Sequence, residues 1–449
     1  MKLLSTTLLS FLIPALSFSQ VSGQWSPLPN APTPSSRIND GFFISPSVGW
    51  VVSGAGLIYK TTNGGTSWTQ QLNKTNSTHF RSVGFLDSLR GWVGCLGIGD
   101  VTHPEVTDTT ILYRTTNGGT TWTPVNAISG AIQRGFCGMH VVNDSIICAV
   151  GRVRGPAYFY KTTDQGATWA IRNMSAFAAG LVDVWFVHPD TGFAVGLTNS
   201  LHDSSSGVIL KTTDGGLTWA KKFTTSRKGE WCWKISFPSR STAYVSLQRD
   251  VLSPIYILKS TDGGETWSEK LFSNSYYFMQ GIGFITPVHG WLGGSGSLPA
   301  YETTDGGESW HSLSIGIRLN RFRFFGDTLG YVMGATVSKY TASHTADVAE
   351  RTEFPATFEL DQNFPNPFNP ETAISYQLPA RPAGGSSVSH VNLKVYDLLG
   401  REVAVLVDGW MDTGRHEVHW DGSQSAGGVY FYRLSVDNLN ETRRMVLIK

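Results

Sequence analysis

Short apolar runs alternate with polar turns along most of the chain, from about residue 25 to residue 340. Seven times a run resembling a strand is followed, about six residues later, by a second strand that opens with a small residue and an aromatic or apolar one. The seven first strands carry Phe43, Phe85, Val142, Phe186, Phe237, Phe284 and Phe324. Short strands bounded by Gly, Asn and Asp are typical of antiparallel sheets. The pattern therefore predicts an all-β chain built from repeated strand pairs.

A polar string that ends in tryptophan follows six of these pairs and recurs about every fifty residues, a period that fits one four-stranded sheet. It reads Thr or Ser, any residue, Asn or Asp, any residue, Gly, two residues, Trp. The six copies contain Asn63, Gly65, Trp68; Asn117, Gly119, Trp122; Asp164, Gly166, Trp169; Asp214, Gly216, Trp219; Asp262, Gly264, Trp267; and Asp305, Gly307, Trp310.

Turn chemistry explains the residues of this string. Side chains of Asp, Asn, Ser and Thr can bind backbone N–H groups of their own turn, and glycine supplies a positive φ. The indole can then lie between neighbouring sheets. Gln165 replaces the first glycine in the third copy, so only the second glycine is expected to be obligatory. We therefore interpret the six copies as structural hairpins rather than binding sites.

The count of strands predicts a closed ring. Seven strand pairs accompany six turns, and the last unit, which ends near Tyr340, has no turn or outer strand of its own. The segment that begins at Trp25 can supply that missing strand, which would leave no open sheet edge. The prediction for residues 24–343 is a seven-bladed β-propeller.

The repeated string resembles the Asp box, which is also called the BNR repeat. This box is known from sialidases, sorting receptors, xyloglucan-degrading enzymes and the photosystem II assembly and stability factor family, where it forms a hairpin on the rim, away from the ligand. The likeness to the photosystem II assembly factor family covers roughly Trp25 to Tyr340. That likeness implies a non-enzymatic scaffold that binds protein.

Residues 344–357 are polar without alternation and predict a linker, after which the pattern changes. Alternating runs at Val391–Val395, Val403–Val407, Val418–Trp420 and Val429–Leu434 indicate a second domain over residues 358–449. Short strands at this spacing, with Gly and Asp turns, predict a small Ig-like antiparallel β-sandwich.

This C-terminal segment resembles the type A sorting domain of the type IX secretion system. The strings that carry the resemblance are FPNPFNP, VYDLLGREV, GVYFYRL and the terminal RRMVLIK. They contain Pro365, Asn366, Pro367, Asn369, Pro370, Asp397, Gly400, Gly428, Tyr430 and Lys449. The resemblance implies a Gram-negative host, recognition by the type IX machinery, export across the outer membrane and removal of this domain. An Ig-like adhesive or spacer domain is the alternative that the sandwich pattern alone would allow.

The N-terminus agrees with export. Lys2, an apolar stretch and small residues at 17 and 19 predict a signal peptide over residues 1–19. No later run approaches the roughly 20 apolar residues of a spanning helix, so no integral membrane segment is expected after signal removal. A net charge of +1 with 15% charged residues makes nucleic acid an unsuitable partner. The four cysteines could be paired or could be buried free thiols.

No catalytic motif is found, and neither a cofactor nor a metal site is expected. His103 with Glu105, and His202 with Asp203, are scattered loop residues. The enzymatic alternative is an extracellular, sialidase-like glycoside hydrolase on the same propeller. Arg37-Ile38-Asn39 departs from the Arg-Ile-Pro of sialidases, and only Glu105 and Glu230 stand near an open face. A placed pair of carboxylates, which hydrolysis needs, is not evident.

The predicted function is therefore a secreted or cell-surface binding scaffold with an unknown extracellular protein or glycan ligand; a structural adhesin without a specific ligand is a third reading. Ligand faces of propellers lie where loops gather around the channel. Those loops include residues 96–110, 197–207, 224–234 and 272–280. Arginine and aromatic residues are enriched at interface hot spots, although each could equally serve packing. The candidate contact set is Arg81, Arg134, Trp231, Trp233, Tyr276, Tyr277 and Arg321.

Overall fold

A computed structural model describes most of the chain. The described residues are 21–75, 77–100, 102–125, 128, 135–250, 252–344, 358–378, 388–398, 400–436 and 439–448. The predicted signal peptide, nearly all of the predicted linker, Arg134 and Lys449 lie outside them. Within these ranges the regular structure is almost entirely β-strand, with one short 3-10 turn at His202–Ser204.

The first 28 strands form seven four-stranded antiparallel sheets. Blades 1 to 6 are β2–β5, β6–β9, β10–β13, β14–β17, β18–β21 and β22–β25, and blade 7 is β26–β28 with β1. The strands β1 to β28 are, in order, Val21–Pro27, Ile38–Phe43, Gly49–Ser53, Leu57–Thr61, Thr69–Asn73, Phe80–Phe85, Gly91–Cys95, Leu112–Thr115, Thr123–Pro124, Gly138–Val141, Ile147–Gly151, Tyr158–Thr162, Ala170–Asn173, Gly180–Phe186, Gly192–Leu197, Gly207–Thr212, Ala220–Thr224, Glu230–Ser236, Ala243–Arg249, Ile255–Ser260, Ser268–Ser273, Met279–Phe284, Gly290–Gly294, Ala300–Thr303, His311–Leu313, Arg321–Phe325, Leu329–Met333 and Val337–His344.

The ring closes through the N-terminal strand, as the strand count predicted. β1 pairs antiparallel with β28, and Trp25 lies opposite Tyr340. The Trp25 ring also makes an edge contact with Trp291 of blade 6, at 5.5 Å between ring centroids. The last sheet is thus completed by the first strand, and the seven-bladed propeller is confirmed.

Each Asp box has a set of side-chain hydrogen bonds within its own turn. In the fourth copy the Thr212 hydroxyl donates to Asp214 at 2.8 Å and accepts the Gly216 N–H at 2.8 Å. The Asp214 carboxylate accepts the N–H of Thr218 at 2.8 Å. These bonds lower the pKa of Asp214 to about 2, with the Thr218 hydroxyl as the largest cause. The box also accepts a hydrogen bond from the preceding blade, since Lys161 Nζ donates to Gly215 O at 2.8 Å.

The second glycine of each box meets an apolar or aromatic side chain of the preceding blade. Gly216 has φ of 93°, and a Cβ there would lie 2.3 Å from the Phe159 ring. The first position is less restricted, because Gln165 adopts φ of 59° there. Trp219 packs on Phe159 at 5.1 Å, so the hairpin fastens one blade to its predecessor.

The strand order assigns the boxes and the other loops to opposite ends of the ring. The boxes join the third and fourth strands of their blades, at the same end as the turns between the first and second strands. Connections between the second and third strands, and from one blade to the next, lie at the other end. We call these ends the box face and the mouth face.

The C-terminal domain consists of two antiparallel sheets packed on one core. One sheet is ordered β29-β30-β33 and the other β32-β31-β34-β35. Both contribute to a core that includes Tyr376, Trp420 and Tyr432. The strands β29 to β35 are Glu359–Leu360, Glu371–Leu378, Val388–Tyr396, Glu402–Asp412, Gly414–Asp421, Gly428–Val436 and Leu439–Leu447.

Two further expectations concern cysteine and the membrane. Cys95, Cys137, Cys148 and Cys232 are all buried free thiols, so the alternative left open by the sequence is resolved against disulfides. Among the described residues, no helix has the length and apolar character needed to cross a bilayer.

Candidate functional site

A cavity of about 410 Å³ opens at the mouth face, over the central channel. The innermost strands and the adjoining loops of several blades line it. Arg37 precedes β2, Arg81 lies on β6, Trp233 on β18 and Gln280 on β22, and all four line the cavity. Because the first strands of the blades surround one axis, residues far apart in sequence converge there.

The channel is closed deeper down by a buried charge network across three blades. Arg321 of blade 7 makes two hydrogen bonds to the Asp183 carboxylate of blade 4, at 2.9 and 2.7 Å. It also approaches Asp40 of blade 1 at 3.2 Å, and Arg323 binds the same carboxylate at 3.0 Å. Burial alone would raise the pKa of Asp183, but the Arg321 charge lowers it to about 2.

Lys234 lies beside this network without an ion pair to any described residue. Its side chain is 1% exposed, and its ammonium lies 5.9 Å from the centre of the Trp233 ring. Burial and, to a smaller extent, the charge of Arg321 lower the pKa of Lys234 to about 7, although Asp183 opposes the shift. The channel interior therefore carries more cationic groups than its two carboxylates neutralise.

Arg81 is buried at the mouth and has no carboxylate partner. It is 7% exposed, and its guanidinium lies 5.4 Å from the centre of the Trp233 ring. Within the described part of the chain, its Nε and one terminal nitrogen have no hydrogen-bond acceptor. A buried charge without a counter-ion is expensive, so this guanidinium favours an incoming anion.

Arg37 strengthens the positive field at the same place. Its Nε donates to the Asn39 amide oxygen at 2.9 Å, and a terminal nitrogen donates to the Gln280 amide oxygen. Burial lowers its pKa to about 9, and the charges of Arg81 and Arg318 add to the shift. Its partners are thus neutral, and no described carboxylate forms an ion pair with it.

A cluster of His79, His103 and Glu105 has the donor types of a metal site, with ligand atoms within 4.8 Å of one another. The Asn39 amide nitrogen donates to Phe80 O at 2.7 Å and lies 3.0 Å from His79 Nε2. Since Asn39 must donate to both, Nε2 is the acceptor of a neutral ring and Nδ1 carries the proton. In this arrangement His79 has an N–H group at Nδ1.

Two carboxylates, Asp100 and Asp250, also line the cavity. Asp100 is buried, and burial opposes ionisation, but hydrogen bonds from Thr102 bring its pKa below the ordinary value. A glycosidase acid needs a raised pKa instead. His202 stacks on Trp231 at 4.0 Å, and burial lowers the pKa of His202 to about 4. Neither Asp100 nor His202 is suited to donate a proton at neutral pH.

The structure distributes the predicted contact set over several environments. Arg81, Trp231 and Trp233 line the cavity, and Tyr276 is exposed on the adjoining loop. The list is completed by three residues elsewhere: Tyr277 is buried in a packing cluster, Arg321 lies in the deep network, and Arg134 is outside the described residues.

The expected loop from Thr224 to Lys234 is shorter than predicted. β18 begins at Glu230, so Trp231 and Trp233 lie on an inner strand rather than on a loop. The other glutamate considered for catalysis, Glu230 itself, is buried and bound to Arg227 at 3.0 Å.

Sequence reasoning missed several lining residues, namely Arg37 as a cavity residue, His79, Asp100, Arg154, Gln248, Gln280 and Arg318. A register signal was present for one of them. The second residue of the inner strand is polar in three blades, as Asn39, Arg81 and Gln280, and apolar in the other four.

The family comparisons match two parts of the chain. Residues 258–269 match the BNR/Asp-box repeat, and residues 362–449 match the secretion system C-terminal sorting domain. The chain is an Asp-box propeller with a type IX sorting domain. The sorting domain implies interaction with the secretion machinery and export across the outer membrane, to the cell surface or the extracellular space.

Solved structures show the same propeller fold. A structure described as YCF48 bound to D1 peptide superposes with a TM-score of 0.53 at 19% identity, covering 74% of this chain and all of that one. YCF48 from Cyanidioschyzon merolae gives a TM-score of 0.52 at 19% identity, with 71% and 98% covered. No curated protein matches the sequence.

A third solved structure gives a lower score. PorZ of Porphyromonas gingivalis, described as an essential surface component of the type IX secretion system, matches with a TM-score of 0.49 at 14% identity. The match covers 94% of this chain and 61% of that one. At these identities the likeness concerns the fold alone.

Proposed function

We propose that this exported propeller is a non-enzymatic binding module that holds a carboxylate-bearing partner in the cavity at its mouth face. One observation carries the proposal: Arg81 is buried in the cavity wall without a carboxylate, whereas Arg321 has two. A buried cation in the wall of a cavity, without a counter-ion, is stabilised when an anion enters the cavity and binds it.

The hydrogen-bonding groups around Arg81 favour the same ligand. The Asn39 amide oxygen is occupied by Arg37, and the Gln248 amide oxygen accepts from Gln280 at 2.9 Å. His79 Nδ1 is a buried donor without an acceptor. Asp100 Oδ2 is an unsatisfied acceptor of the same cavity, but the unsatisfied donors of Arg81 and His79 outnumber it. A carboxylate supplies acceptors only.

The solved structure of YCF48 with a D1 peptide provides a precedent for peptide binding by a propeller of this fold. We extend that use to this chain as part of the proposal. The sorting domain places the module outside the outer membrane, so its partner is an envelope or extracellular molecule.

Fluorescence anisotropy with synthetic nine-residue peptides tests the proposal. The probe peptides carry a single central Asp, Asn or Lys in an otherwise identical sequence, and the protein is the full chain without its signal peptide. The Asp peptide should bind most tightly, and Arg81→Met should weaken it at least about tenfold, the usual scale for a charge-assisted hydrogen bond.

Arg90→Met is the matched control, because Arg90 lies at the box face and pairs with Asp87. It should leave affinity unchanged. Equal binding of the Asp and Asn peptides, or equal losses from Arg81→Met and Arg90→Met, would contradict the proposal. Hydrolysis of a polysaccharide that disappears in an Asp100→Asn, Asp250→Asn double variant would replace it by the glycosidase alternative.

A further inference from the structure

Five large apolar side chains on loops of the mouth face are exposed. They share one property: each lies within two positions of a residue that lines the cavity. They are Ile98 (near Leu96 and Asp100), Leu201 (near His202), Leu252 (near Asp250), Tyr276 (near Phe278) and Ile317 (near Arg318). We call these five residues the apolar collar.

The collar is distributed around the ring rather than gathered on one loop. Ile98, Leu201 and Leu252 lie between the second and third strands of blades 2, 4 and 5, while Tyr276 and Ile317 lie in the loops that lead into blades 6 and 7. Leu201 is 70% exposed and the other four are each 44% exposed. A large part of each of these side chains therefore faces solvent.

The positively charged cavity and the apolar collar around it set two requirements for a partner. A bare inorganic anion would use the arginines and leave the collar in water. A partner that fills both must carry a carboxylate with apolar groups on either side, because hydrophobic burial and the buried charge pair then act together.

The low exposure of the two tryptophans in the cavity wall favours a protein segment over a glycan as the partner. A sugar ring needs an open aromatic face to stack upon, but Trp231 and Trp233 in the cavity wall are only 1% and 5% exposed. The exposed collar members are mainly aliphatic. Such side chains pack against the aliphatic and aromatic side chains of a peptide.

We infer that the mouth recognises a protein segment in which an acidic residue is flanked by large apolar side chains, with the carboxylate beside Arg81 and the flanks on the apolar collar. This inference rests on the proposed function and adds the identity of the partner. In this inference the collar residues select the apolar flanks of the segment, and the arginines bind its carboxylate.

Peptide display selection on the full chain without its signal peptide tests it. Two libraries of nine-residue peptides carry a fixed central Asp or a fixed central Asn, with random flanks. The Asp library should be enriched in Leu, Ile, Val, Phe and Tyr at the flanks. A selected peptide should bind about tenfold more tightly than the same peptide with Ser flanks.

A Leu201→Ser, Leu252→Ser double variant should reduce that preference for apolar flanks to nearly onefold. The matched control is Leu89→Ser, Val288→Ser, which removes two equally exposed side chains from turns of the box face. The control should retain the preference. Thermal melts of both variants should coincide with that of the natural chain, since all four positions are exposed.

The outcomes separate this inference from the proposed function. Peptides with Ser flanks that bind as tightly as apolar ones, while still requiring Arg81, would overturn the inference and leave the carboxylate site standing. Tight binding of acidic oligosaccharides with no enriched peptide would overturn the inference in the same way. Equal enrichment from the Asp and Asn libraries would overturn the proposed function itself.

Discussion

Arg321 and Arg81 both lie near the start of an inner strand, and both are almost fully buried, at 5% and 7% exposure. Arg321 is matched by Asp183 and Asp40, which come from two other blades. Arg81 has an aromatic ring beside it and no described carboxylate. The deep charge is neutralised within the ring, whereas the charge at the mouth has no described counter-ion and is the basis of the proposed binding role.

The largest effect should follow from breaking the deep pair. Asp183→Asn leaves Arg321 without its two-point partner, and removal of one member of a buried pair costs about 3–5 kcal/mol of unfolding free energy. Chemical denaturation should measure this loss. Asp250→Asn, a carboxylate at the mouth without an ion pair to a described residue, should change stability by less than about 0.5 kcal/mol. Equal losses would remove the distinction between the two regions.

Lys234 should make the unfolding free energy of the chain increase with pH above about pH 7. Its folded pKa of about 7 lies below the ordinary 10.5, so between these values the unfolded chain binds more protons than the folded chain. Stability should therefore rise with pH in this window, by as much as about 1.4 kcal/mol per pH unit. The rise should be smaller in Lys234→Met, measured by denaturation at pH 7 and pH 9. Identical slopes in the two proteins would show that Lys234 is not dehydrated.

Asp183 should make the stability of the same region fall at acid pH. Its folded pKa of about 2 lies below the ordinary 3.8, so its contribution is present above about pH 4 and is lost as pH falls toward 2. The shift corresponds to about 2 kcal/mol. The difference in unfolding free energy between the natural chain and Asp183→Asn should shrink over this range. A constant difference would contradict the charge pairing.

Removal of the unpaired charge at the mouth should affect stability much less than removal of Asp183. Arg81→Met removes an unpaired buried charge and fills the space with an apolar side chain, so stability should stay within about 1 kcal/mol or increase. Binding of the Asp peptide should nevertheless be lost. A loss of stability as large as that of Asp183→Asn would mean that Arg81 is a structural residue.

Much of the fold could be predicted from local sequence. The Asp-box turns follow from residue types whose bonding partners lie within four positions, as in Thr212 and Gly216. The requirement for the second glycine and its positive φ were also predicted, but its close contact with the neighbouring blade was not. The structure shows that a Cβ at Gly216 would collide with Phe159 of the neighbouring blade.

The candidate site was less predictable. Arg81, Trp231 and Trp233 were selected by residue type, but so were Tyr277, which packs in a core, and Arg321, which lies in the deep network. Residue type does not reveal whether a buried arginine has a carboxylate beside it. That depends on contacts such as Arg321 with Asp183, which are separated by 138 positions.

By itself the sequence determined the number of blades, the closure of the ring by the strand at Trp25 and the presence of a sorting domain, because turns, alternation and short motifs are encoded by neighbouring residues. Only the tertiary structure decided which charges are neutralised and which face an open cavity. Closure of the ring brings together side chains from distant blades, and electrostatic pairing depends on distance in space rather than on position along the chain.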